Sequence, residues 1–389
     1  MEEKKRVAVL RSQLLPISET FIRDQVSALK SWTPILIGRE NVEGGLATPG
    51  IQRVIVPESG GRLIRTLRFW MGRPDPALVG QLKQLNCTLA HVHFGIDATD
   101  FWPSIKAAGL PMVVTLHGAD INIYRWWWEL GHSGLRRRIY PRRLLAMARD
   151  PAVSFIAVSE AIKLRAIEYG IPQEKITVSY IGVDTDRFQP GNTPIEERAK
   201  RILFVGRMVE KKAPLLLIRA FADVKKQFPE AELVMIGTGP LLNEAKQLAR
   251  DLQLQIEFLG AKNSSSVKSE LDKVQLLCLP SVTAANGDAE GFGIVLLEAQ
   301  SCGIPVISSA LGGSEEGILD GVTGHKFPEN SAQELTSLIL KTLGNIEKLR
   351  FMSNASTTHM RKNFKISDKA KHLESIFQLN SIATFERNL

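Results

Sequence analysis

The chain has 389 residues, of which 44% are hydrophobic and 23% are charged, a composition typical of a soluble globular protein with about two domains. No apolar run approaches the ~18 residues that span a bilayer, and the charged start MEEKKRVAVLRS lacks the apolar stretch of a signal peptide. Three widely spaced cysteines, Cys87, Cys278 and Cys302, argue against a disulfide scaffold. We therefore expect a cytoplasmic protein with free thiols.

The formal net charge of +8 is concentrated in the first half of the chain. Residues 1–190 contain 25 Lys and Arg against 18 Asp and Glu, whereas the remainder contains 24 against 23. Such asymmetry is typical of proteins that meet nucleic acid, anionic lipid or an acidic acceptor. Because the sequence carries no zinc-finger or aromatic RNP-type motif, we expect no nucleic-acid partner.

The first half alternates short apolar runs with longer helical patterns, as a parallel sheet covered by helices on both faces requires. The predicted strands, in chain order, are RVAVLRS, TPILIGR, IQRVIVPE, TLAHVHFG, PMVVTLHG and VSFIAVS. Helices are predicted at ETFIRDQVSALKS and at SEAIKLRAIEYG, which begins at a serine cap and stops at Gly170. We assign these elements to an N-terminal domain over residues 1–190.

The pattern restarts after YIGVDTDRFQPGNTPIEERAK, whose glycine, proline and charged residues are typical of a linker. The strands RILFVGR, AELVMIG, QIEFLG, VQLLCLPS and IPVISS then predict a C-terminal domain over residues 191–365. Residues 366–389 are predicted as a helical tail that packs back on the N-terminal domain. The predicted fold class is therefore α/β, with two doubly wound Rossmann-like domains and a ligand site in the cleft that they face.

A basic turn follows the first strand of the second series. In RILFVGRMVEKKAP, Gly206 lets the chain turn, and Arg207 and Lys212 are close enough in sequence to converge on one anion. A diphosphate leaving group needs such cations, because its negative charge grows as its bond to a sugar breaks. A solvated basic turn is the alternative interpretation.

The next loop contains two glycines between a strand and a helix. They are Gly237 and Gly239 in LVMIGTGPLLNEAKQLA, and they suit a turn that clamps a base or a phosphate. The full G-x-G-x-x-G pattern is broken by Leu242, so an ordinary strand-to-helix turn explains the glycines equally well.

Histidines stand at the ends of two predicted strands. His117, followed closely by Asp120, lies at a carboxyl end where it can hydrogen-bond a substrate, although a structural histidine is the alternative. His91 and His93 share one strand face. Because no carboxylate or cysteine nearby completes a metal ligand set, we interpret these two as wall or core residues.

Asp184 and Asp186 resemble the carboxylate pair that holds a metal in some sugar-transfer enzymes. They lie in the predicted linker and not at the end of a catalytic strand. We therefore expect no metal site.

Glu290 and Glu298 stand eight positions apart in GDAEGFGIVLLEAQSCGIPVISS. The sequence predicts that Glu290 precedes a helix, that Glu298 lies inside it, and that roughly 10 Å separates them. The start of the helix presents the N–H groups of Phe292, Gly293 and Ile294, where anions are favoured. A nucleotide sugar has about this reach, with hydroxyl groups at both ends for the carboxylates and a diphosphate between them.

This glutamate spacing inside EGFGIVLLEAQSCGIPVI resembles the signature of the retaining, metal-independent GT-B glycosyltransferases of family 4. VGRMVEKKAP, LHGAD, VSEAIKLRAIEYGIP, YIGVDTDRFQP and DGVTGHKFP resemble the same family in the same order, from residue 7 to about residue 365. The segment LLPISETFIRDQV further resembles a subgroup that builds bacterial exopolysaccharide, O-antigen and lipopolysaccharide chains.

The resemblance implies a role for each candidate residue. Glu290 contacts hydroxyl groups of the donor sugar, Glu298 holds the ribose, and the amides at the helix start line the sugar and phosphate site. Arg207 and Lys212 neutralise the diphosphate, and His117 lies by the donor sugar and the acceptor. The predicted catalytic set is His117, Glu290, Arg207 and Lys212; the glycines added to the donor-binding set are Gly206, Gly237, Gly239 and Gly293.

The same resemblance implies a hexosyltransferase that uses a UDP- or GDP-linked sugar, keeps the α configuration, and needs no cofactor or metal. The implied acceptor is a lipid-linked glycan of bacterial surface polysaccharide synthesis. Many relatives carry a Gly-Gly loop after the first strand, where this chain has Ser18, Glu19 and Thr20. These three residues and Asp120 belong to either the acceptor or the donor side. The alternative functions are a nucleotide-sugar 2-epimerase and a degenerate sugar-nucleotide-binding subunit.

Two basic segments of the first domain also contain large apolar residues. GRLIRTLRFWMGR (61–73) mixes both kinds, and residues 121–149 hold three consecutive tryptophans and a cluster of arginines. Tryptophan favours the bilayer interface and arginine favours anionic lipid, so we expect peripheral attachment to the inner face of the cytoplasmic membrane. The alternative is that the tryptophans are core residues and the arginines a solvated helix face. The clustered arginines are Arg136, Arg137, Arg138, Arg142 and Arg143.

Overall fold

A computed structural model describes residues 4–309 and 312–385 of the chain. It divides the chain into two compact units, Met1–Gly182 with Ile366–Leu389 (unit 1) and Val183–Lys365 (unit 2). The domain boundary predicted at residue 190 therefore lies inside unit 2. Residues before it pack there because Phe188 is fully buried and its carbonyl accepts a hydrogen bond from the Ser301 hydroxyl.

Unit 1 contains a seven-stranded sheet of order β3-β2-β1-β4-β5-β6-β7, in which every neighbouring pair is parallel. Its strands are β1 (Lys5–Leu14), β2 (Trp32–Asn41), β3 (Gln52–Ile55), β4 (Leu89–His93), β5 (Met112–Leu116), β6 (Val153–Ala157) and β7 (Ile176–Val178). Its first helices are α1 (Thr20–Ser27), α2 (Arg62–Met71), α3 (Pro76–Gln84), α4 (Gly95–Ala107), α5 (Ala119–Asn122), α6 (Arg125–Glu129), α7 (Tyr140–Ala148) and α8 (Glu160–Tyr169).

Unit 2 contains a six-stranded, wholly parallel sheet of order β10-β9-β8-β11-β12-β13. Its strands are β8 (Arg201–Val205), β9 (Glu232–Ile236), β10 (Ile256–Gly260), β11 (Leu276–Leu279), β12 (Val306–Ser309) and β13 (Gly324–Phe327). Its helices are α9 (Pro214–Gln227), α10 (Leu242–Asp251), α11 (Ser264–Leu271), α12 (Ile294–Ser301), α13 (Ala332–Leu343) and α14 (Ile346–Asn363).

Local sequence signals account for these elements. Strands β4 and β5 are buried along their whole length, which is why they read as apolar runs. Helix α8 begins where the Ser159 hydroxyl accepts a hydrogen bond from Ile162 N at 3.1 Å, and it ends at Gly170 in the left-handed conformation. The prediction of two doubly wound parallel sheets is confirmed.

The last helix, α15 (Ile366–Phe385), belongs to unit 1. Leu373, Ile376 and Phe377 are buried in the same core cluster as Trp32, whose ring centroid lies 5.6 Å from that of Phe377. Glu374 Oε1 accepts hydrogen bonds from the backbone N–H groups of residues 30, 31 and 32 at 2.7, 2.6 and 3.1 Å. The end of the predicted tail, residues 386–389, lies outside the described residues.

In both sheets the strand order reverses beside the first strand, between β1 and β4 in unit 1 and between β8 and β11 in unit 2. Loops that leave these two strands diverge to opposite sides, and the crevice between them is where open α/β sheets bind ligands. Each of these switch points is therefore a place to look for functional side chains.

Candidate functional site

The switch point of unit 2 joins a lysine to a glutamate. Lys212, from the loop after β8, forms an ion pair with Glu290, from the loop after β11. The Ser281 hydroxyl lies 3.4 Å from Glu290 Oε2, and Lys211 Nζ lies 3.0 Å from Asp288 Oδ1. Two predicted site residues that are far apart in sequence thus meet where the topology favours a ligand.

The surroundings of Glu290 keep it ionised although it is only 8% exposed. Burial alone would raise the pKa of this carboxyl, but the ammonium groups of Lys212 and Lys211 outweigh burial and hold the pKa below its usual value. Glu290 is therefore an acceptor for hydroxyl groups at neutral pH, and Lys212 lies beside it as a cation.

The two predicted glycines after β9 have a clear steric reason. Gly237 and Gly239 have φ angles of 138° and 154°, and added Cβ atoms would lie 1.8 Å from Gly206 O and 2.5 Å from Met208 O. Only glycine allows the turns after β8 and β9 to approach this closely. The glycines thereby support the loop that carries Arg207, which is exposed and forms no ion pair within the described ranges.

Helix α12 begins at Ile294, as the sequence predicts, with Gly293 before it in the left-handed conformation at φ 71°. Glu290 precedes the helix, and Glu298 lies in its second turn and is 9% exposed. The Phe292 side chain is buried and packs on Phe364, with 5.9 Å between ring centroids. The Phe292 ring is therefore a core group of unit 2.

The switch point of unit 1 contains an arginine shared by two carboxylates. Arg11 Nε lies 3.0 Å from Glu19 Oε2, and further guanidinium N–H groups donate to Glu19 Oε1 and Asp97 Oδ2. The guanidinium carbon lies 4.4 Å from the centroid of the Phe94 ring. Burial raises the pKa of Glu19 although Arg11 opposes that rise. Of the predicted Ser18-Glu19-Thr20 group, only Glu19 joins this network; Ser18 is exposed and Thr20 begins α1.

His117 follows β5 and stands among aromatic rings. Its Nε2 lies 3.0 Å from His93 Nδ1, and its ring centroid lies 4.9 Å from that of Phe21 and 4.6 Å from that of Phe94. Burial lowers the pKa values of His117 and His93 well below the usual value. His117 is therefore a neutral hydrogen-bonding group at neutral pH and not a cation.

The other two histidines of this region are core residues that support His117. His91 Nε2 lies 2.7 Å from Thr115 Oγ1, and burial lowers the pKa of His91 to about 3. His93 is fully buried and contacts His117 directly. The interpretation of the pair as wall or core residues agrees with this arrangement.

Asp120 is fully buried, and backbone N–H groups occupy its carboxylate. It accepts hydrogen bonds from the N–H groups of Gly95 at 2.9 Å, His117 at 3.1 Å and Gly118 at 2.9 Å. Burial raises the pKa of Asp120 despite these donors. Asp120 thus fixes the turns after β4 and β5 and orients His117 through the backbone.

Sequence reasoning missed Arg11 and Asp97 in unit 1 and the support of Glu290 by Ser281 and Lys211 in unit 2. One signal was available, since Arg11 is a charged residue that directly follows the buried apolar run 7–10 of β1. The partners of these residues were not visible, because they come from distant elements.

Asp184 caps a turn, and the three cysteines are buried. Asp184 Oδ1 accepts hydrogen bonds from the N–H groups of Asp186 at 3.1 Å and Arg187 at 3.0 Å, which caps a turn. The three cysteines are free and buried. Over residues 4–309 and 312–385, no group of three or more His, Cys, Asp or Glu side chains is arranged to hold a metal, and no helix is long and apolar enough to cross a bilayer.

Family models match consecutive parts of the chain. The model for Glycosyltransferase Family 4 matches residues 36–187, and the model for Glycosyl transferases group 1 matches residues 185–359. The second match contains Lys212, Glu290 and Glu298. The first contains His117 and Asp120.

Several named proteins are similar to this chain in sequence. The amylovoran biosynthesis glycosyltransferase AmsK of Erwinia amylovora is 31% identical over 68% of this chain and 64% of its own length. The putative colanic acid biosynthesis glycosyltransferase WcaL of Escherichia coli is 36% identical over 46% of this chain and 45% of its own length. The chain thus spans about half to just under two thirds of these relatives. A GDP-mannose-dependent phosphatidylinositol monomannoside mannosyltransferase of Mycolicibacterium smegmatis is 30% identical over 72% of this chain and 74% of its own length.

Solved structures share the fold at low identity. The Anabaena protein HepE, solved with UDP, has a TM-score of 0.78 at 18% identity and covers 96% of this chain and 99% of its own. WaaG, a glycosyltransferase involved in lipopolysaccharide biosynthesis, has a TM-score of 0.71 at 19% identity and covers 94% of this chain and 98% of its own. Given the two family models and the 30% identical relative matched over most of its length, the chain belongs to the family 4 glycosyltransferases of the GT-B fold.

Proposed function

We propose that the protein is a retaining glycosyltransferase that moves a hexose from a nucleoside diphosphate sugar to a hydroxyl group of a lipid-linked glycan. The observation that carries this proposal is the Lys212–Glu290 pair at the switch point of unit 2. A cation and a hydroxyl-accepting carboxylate side by side suit the junction between the diphosphate and the sugar of the donor. The names of AmsK and WcaL support a role in bacterial surface polysaccharide synthesis.

The donor is proposed to be a UDP- or GDP-linked sugar. HepE was solved with UDP-glucose, and the Mycolicibacterium relative is named as GDP-mannose-dependent, so the relatives support both bases. We assign Glu298 to the ribose, Glu290 to the sugar hydroxyls, and Arg207, Lys212 and the first N–H groups of α12 to the diphosphate. The resemblance to the family assigns His117 to the donor sugar and acceptor.

The chemical step is proposed as a front-face substitution. The acceptor oxygen forms a bond to the anomeric carbon on the face from which the diphosphate leaves, and the electron pair of the broken C–O bond passes to the diphosphate. The acceptor proton passes to a phosphate oxygen of that leaving group. Lys212 and Arg207 stabilise the charge that develops on the diphosphate, which is where such groups lower the barrier.

A panel of UDP- and GDP-sugars in a thermal-shift assay tests the donor assignment. One base class should raise the melting temperature, because a ligand at 100 times its dissociation constant stabilises the folded state by about 2.7 kcal/mol. Glu298→Ala is the control and should lose most of this shift. Absence of a shift with every nucleotide sugar would contradict the proposal, and an epimerised donor as product would favour the 2-epimerase.

Metal independence is a separate prediction. Arg207, Lys212 and the start of α12 supply the positive charge that a divalent cation provides in other sugar transferases. Transfer measured with and without excess EDTA should therefore be the same. Loss of transfer in EDTA that manganese or magnesium restores would overturn this part and return attention to Asp184 and Asp186.

We also propose that the protein works in the cytoplasm and attaches to the inner face of the cytoplasmic membrane, where a lipid-linked acceptor is presented. The excess of Lys and Arg in residues 1–190, 25 against 18 acidic residues, supports this attachment.

A further inference from the structure

Helix α2 turns its apolar face to solvent. The exposed fractions are 72% for Leu63, 54% for Ile64, 49% for Leu67, 45% for Trp70 and 60% for Met71, and no residue of the helix is buried. These positions follow the spacing of a single helical face. A surface helix normally buries that face against the core, so this one lacks the usual partner for its apolar side chains.

The other face of α2 lines a basic pocket. Arg65, Arg68, Phe69 and Gly72 contribute to it at helical spacing, and residues from the β2, α4 and α7 regions complete it. Arginines outnumber acidic residues there by six to three. The six are Arg39, Arg65, Arg68, Arg73, Arg136 and Arg143, and the three are Glu58, Asp75 and Asp100. We call this group the arginine pocket.

The acidic residues neutralise only part of the positive charge of the arginine pocket. Asp75 pairs with Arg39 at 2.6 Å and Arg68 at 3.4 Å, and Asp100 lies 3.9 Å from Arg143. Throughout the described residues, no carboxylate forms an ion pair with the remaining pocket arginines. These are Arg65, Arg73 and Arg136.

The unpaired Arg136 lies close to Arg143, whose ion pair with Asp100 is as long as 3.9 Å. The guanidinium carbons of Arg136 and Arg143 lie 4.4 and 4.1 Å from the centroid of the Phe69 ring, so α2 itself gathers them. Burial lowers the pKa of Arg143, the Asp100 carboxylate partly opposes that effect, and Arg136 adds to it. An anion in the pocket would relieve both the burial of charge and the mutual repulsion, and a phosphate group matches the planar arginine fork.

We propose that α2 and the arginine pocket form a membrane-docking site, in which the apolar face of α2 enters an anionic bilayer and the pocket binds lipid phosphate groups. The apolar face and the phosphate-binding face belong to one helix, as in helices that lie in the plane of the interface. A soluble phosphate would use the pocket but leave the apolar face exposed, which is why we assign the site to a bilayer. The inference rests on the membrane attachment in the proposed function and names its residues.

The three consecutive tryptophans, residues 126–128, contribute less to membrane docking than the sequence predicts. Trp128 is 3% exposed and packs edge-on against Tyr140 at 5.2 Å, so it is a core residue. Trp126 is 49% exposed. The segment 121–149 therefore contributes mainly through Arg136 and Arg143, which reach the pocket beside α2.

Vesicle flotation of the full chain tests the site. The probes are phosphatidylcholine vesicles with and without phosphatidylglycerol, and the wild type should bind only those with phosphatidylglycerol. Leu63→Ser/Leu67→Ser should weaken binding by roughly tenfold or more, because two leucines no longer leave water. Leu164→Ser is the control, since Leu164 is 60% exposed on α8 of the same unit and should bind as the wild type does.

A charge-reversal variant tests the pocket. Arg65→Glu/Arg73→Glu should weaken binding by about fivefold or more for each arginine. Lys83→Glu/Arg149→Glu makes the same change of net charge at exposed positions outside the pocket and should weaken binding much less. Equal losses in the two variants would overturn the pocket assignment, because they would indicate a general charge effect.

Further outcomes are decisive in the same experiment. Unchanged binding of Leu63→Ser/Leu67→Ser overturns the role of α2. A rise in melting temperature with inorganic phosphate, together with no binding to phosphatidylglycerol vesicles, indicates a site for a soluble anion and overturns the bilayer assignment, as does self-association that disappears in the leucine variant. The nucleotide-sugar thermal shift of each variant is read in parallel, so a failure of donor binding is distinguished from a failure of docking.

Discussion

The two switch points share a topology but differ in charge. In unit 1 the single guanidinium of Arg11 serves the carboxylates of Glu19 and Asp97. In unit 2 the ammonium groups of Lys211 and Lys212 each form an ion pair with one carboxylate. The exposed Arg207 adds a further cation. The first arrangement has an excess of acidic groups, and the second has an excess of basic ones.

This difference separates what the fold provides from what the side chains provide. Strand order creates a crevice at the same relative place in both sheets. The side chains then decide its chemistry: the basic excess in unit 2 suits a diphosphate, whereas the carboxylates and neutral histidines of unit 1 suit hydroxyl groups. An activity assigned from topology alone would not distinguish the two.

The largest expected effect comes from removing the cation at the unit 2 switch point. Lys212→Ala should lower kcat by roughly 100- to 1,000-fold, because leaving-group charge peaks in the transition state. Donor affinity should fall much less. Steady-state transfer and calorimetric titration with the nucleoside diphosphate sugar measure the two quantities.

Lys211→Ala is the matched control for this variant. Its ammonium pairs with Asp288 and acts on Glu290 only by longer-range electrostatic attraction. We therefore expect kcat to fall by less than about tenfold. Equal losses of affinity and turnover in Lys212→Ala would show that the lysine binds the ground state and would remove the contrast between the switch points.

A second difference is that unit 1 needs its distant last helix, whereas unit 2 is one continuous segment. Glu374→Ala leaves three backbone N–H groups without their acceptor and should lower the free energy of unfolding by about 1–3 kcal/mol. All six tryptophans, Trp32 among them, lie in unit 1, so tryptophan fluorescence during urea unfolding follows this unit.

Glu374→Gln serves as the comparison, because its amide oxygen still accepts hydrogen bonds. It should destabilise unit 1 less than Glu374→Ala does. If both variants unfold at the wild-type urea concentration, the contact of α15 with the start of β2 does not hold unit 1 together.

The smallest effect is a difference in acid sensitivity. His91 has a pKa lowered to about 3, so it contributes stability that is complete above the usual histidine pKa and declines as the pH falls below about 6.5. Its slope is at most about 1.4 kcal/mol per pH unit. Glu290 in unit 2 has a lowered pKa, so its contribution is lost only below about 4.5.

Urea unfolding followed by tryptophan fluorescence between about pH 7 and about pH 5 should therefore show unit 1 losing stability. His93 and His117 add to this loss, and the raised pKa values of Glu19 and Asp120 oppose it. His91→Gln should flatten this dependence even if its stability at neutral pH is lower. His372→Gln is the control at an exposed histidine of the same unit and should leave the slope unchanged. A slope that His91→Gln does not alter would show that this imidazole is not the acid-sensitive group.

Sequence patterns predict the strands and helix ends that are determined by residues close together in the chain. The fully buried strands β4 and β5 are predicted from their apolar runs, and Ser159 and Gly170 predict the ends of α8. The glycine before Ile294 predicts the start of α12 at that residue.

The rest depends on which strands become neighbours. Lys212 meets Glu290 only because β8 lies beside β11, and Arg11 meets Asp97 only because β1 lies beside β4. No local signal encodes such pairings. The run of tryptophans shows the same limit, since position on a short helix decides that Trp128 is buried while Trp126 is exposed.

The place of α15 in unit 1 also has a consequence for synthesis on the ribosome. Residues up to Gly182 leave the exit tunnel first, yet Leu373, Ile376 and Phe377, which complete their core, are translated only after all of unit 2. Domains generally fold as units in the order of their synthesis. Here unit 2 has all its residues first and the earlier-made unit must wait, so a nascent chain stalled anywhere within unit 2 leaves the Trp32 cluster open to chaperones and proteases.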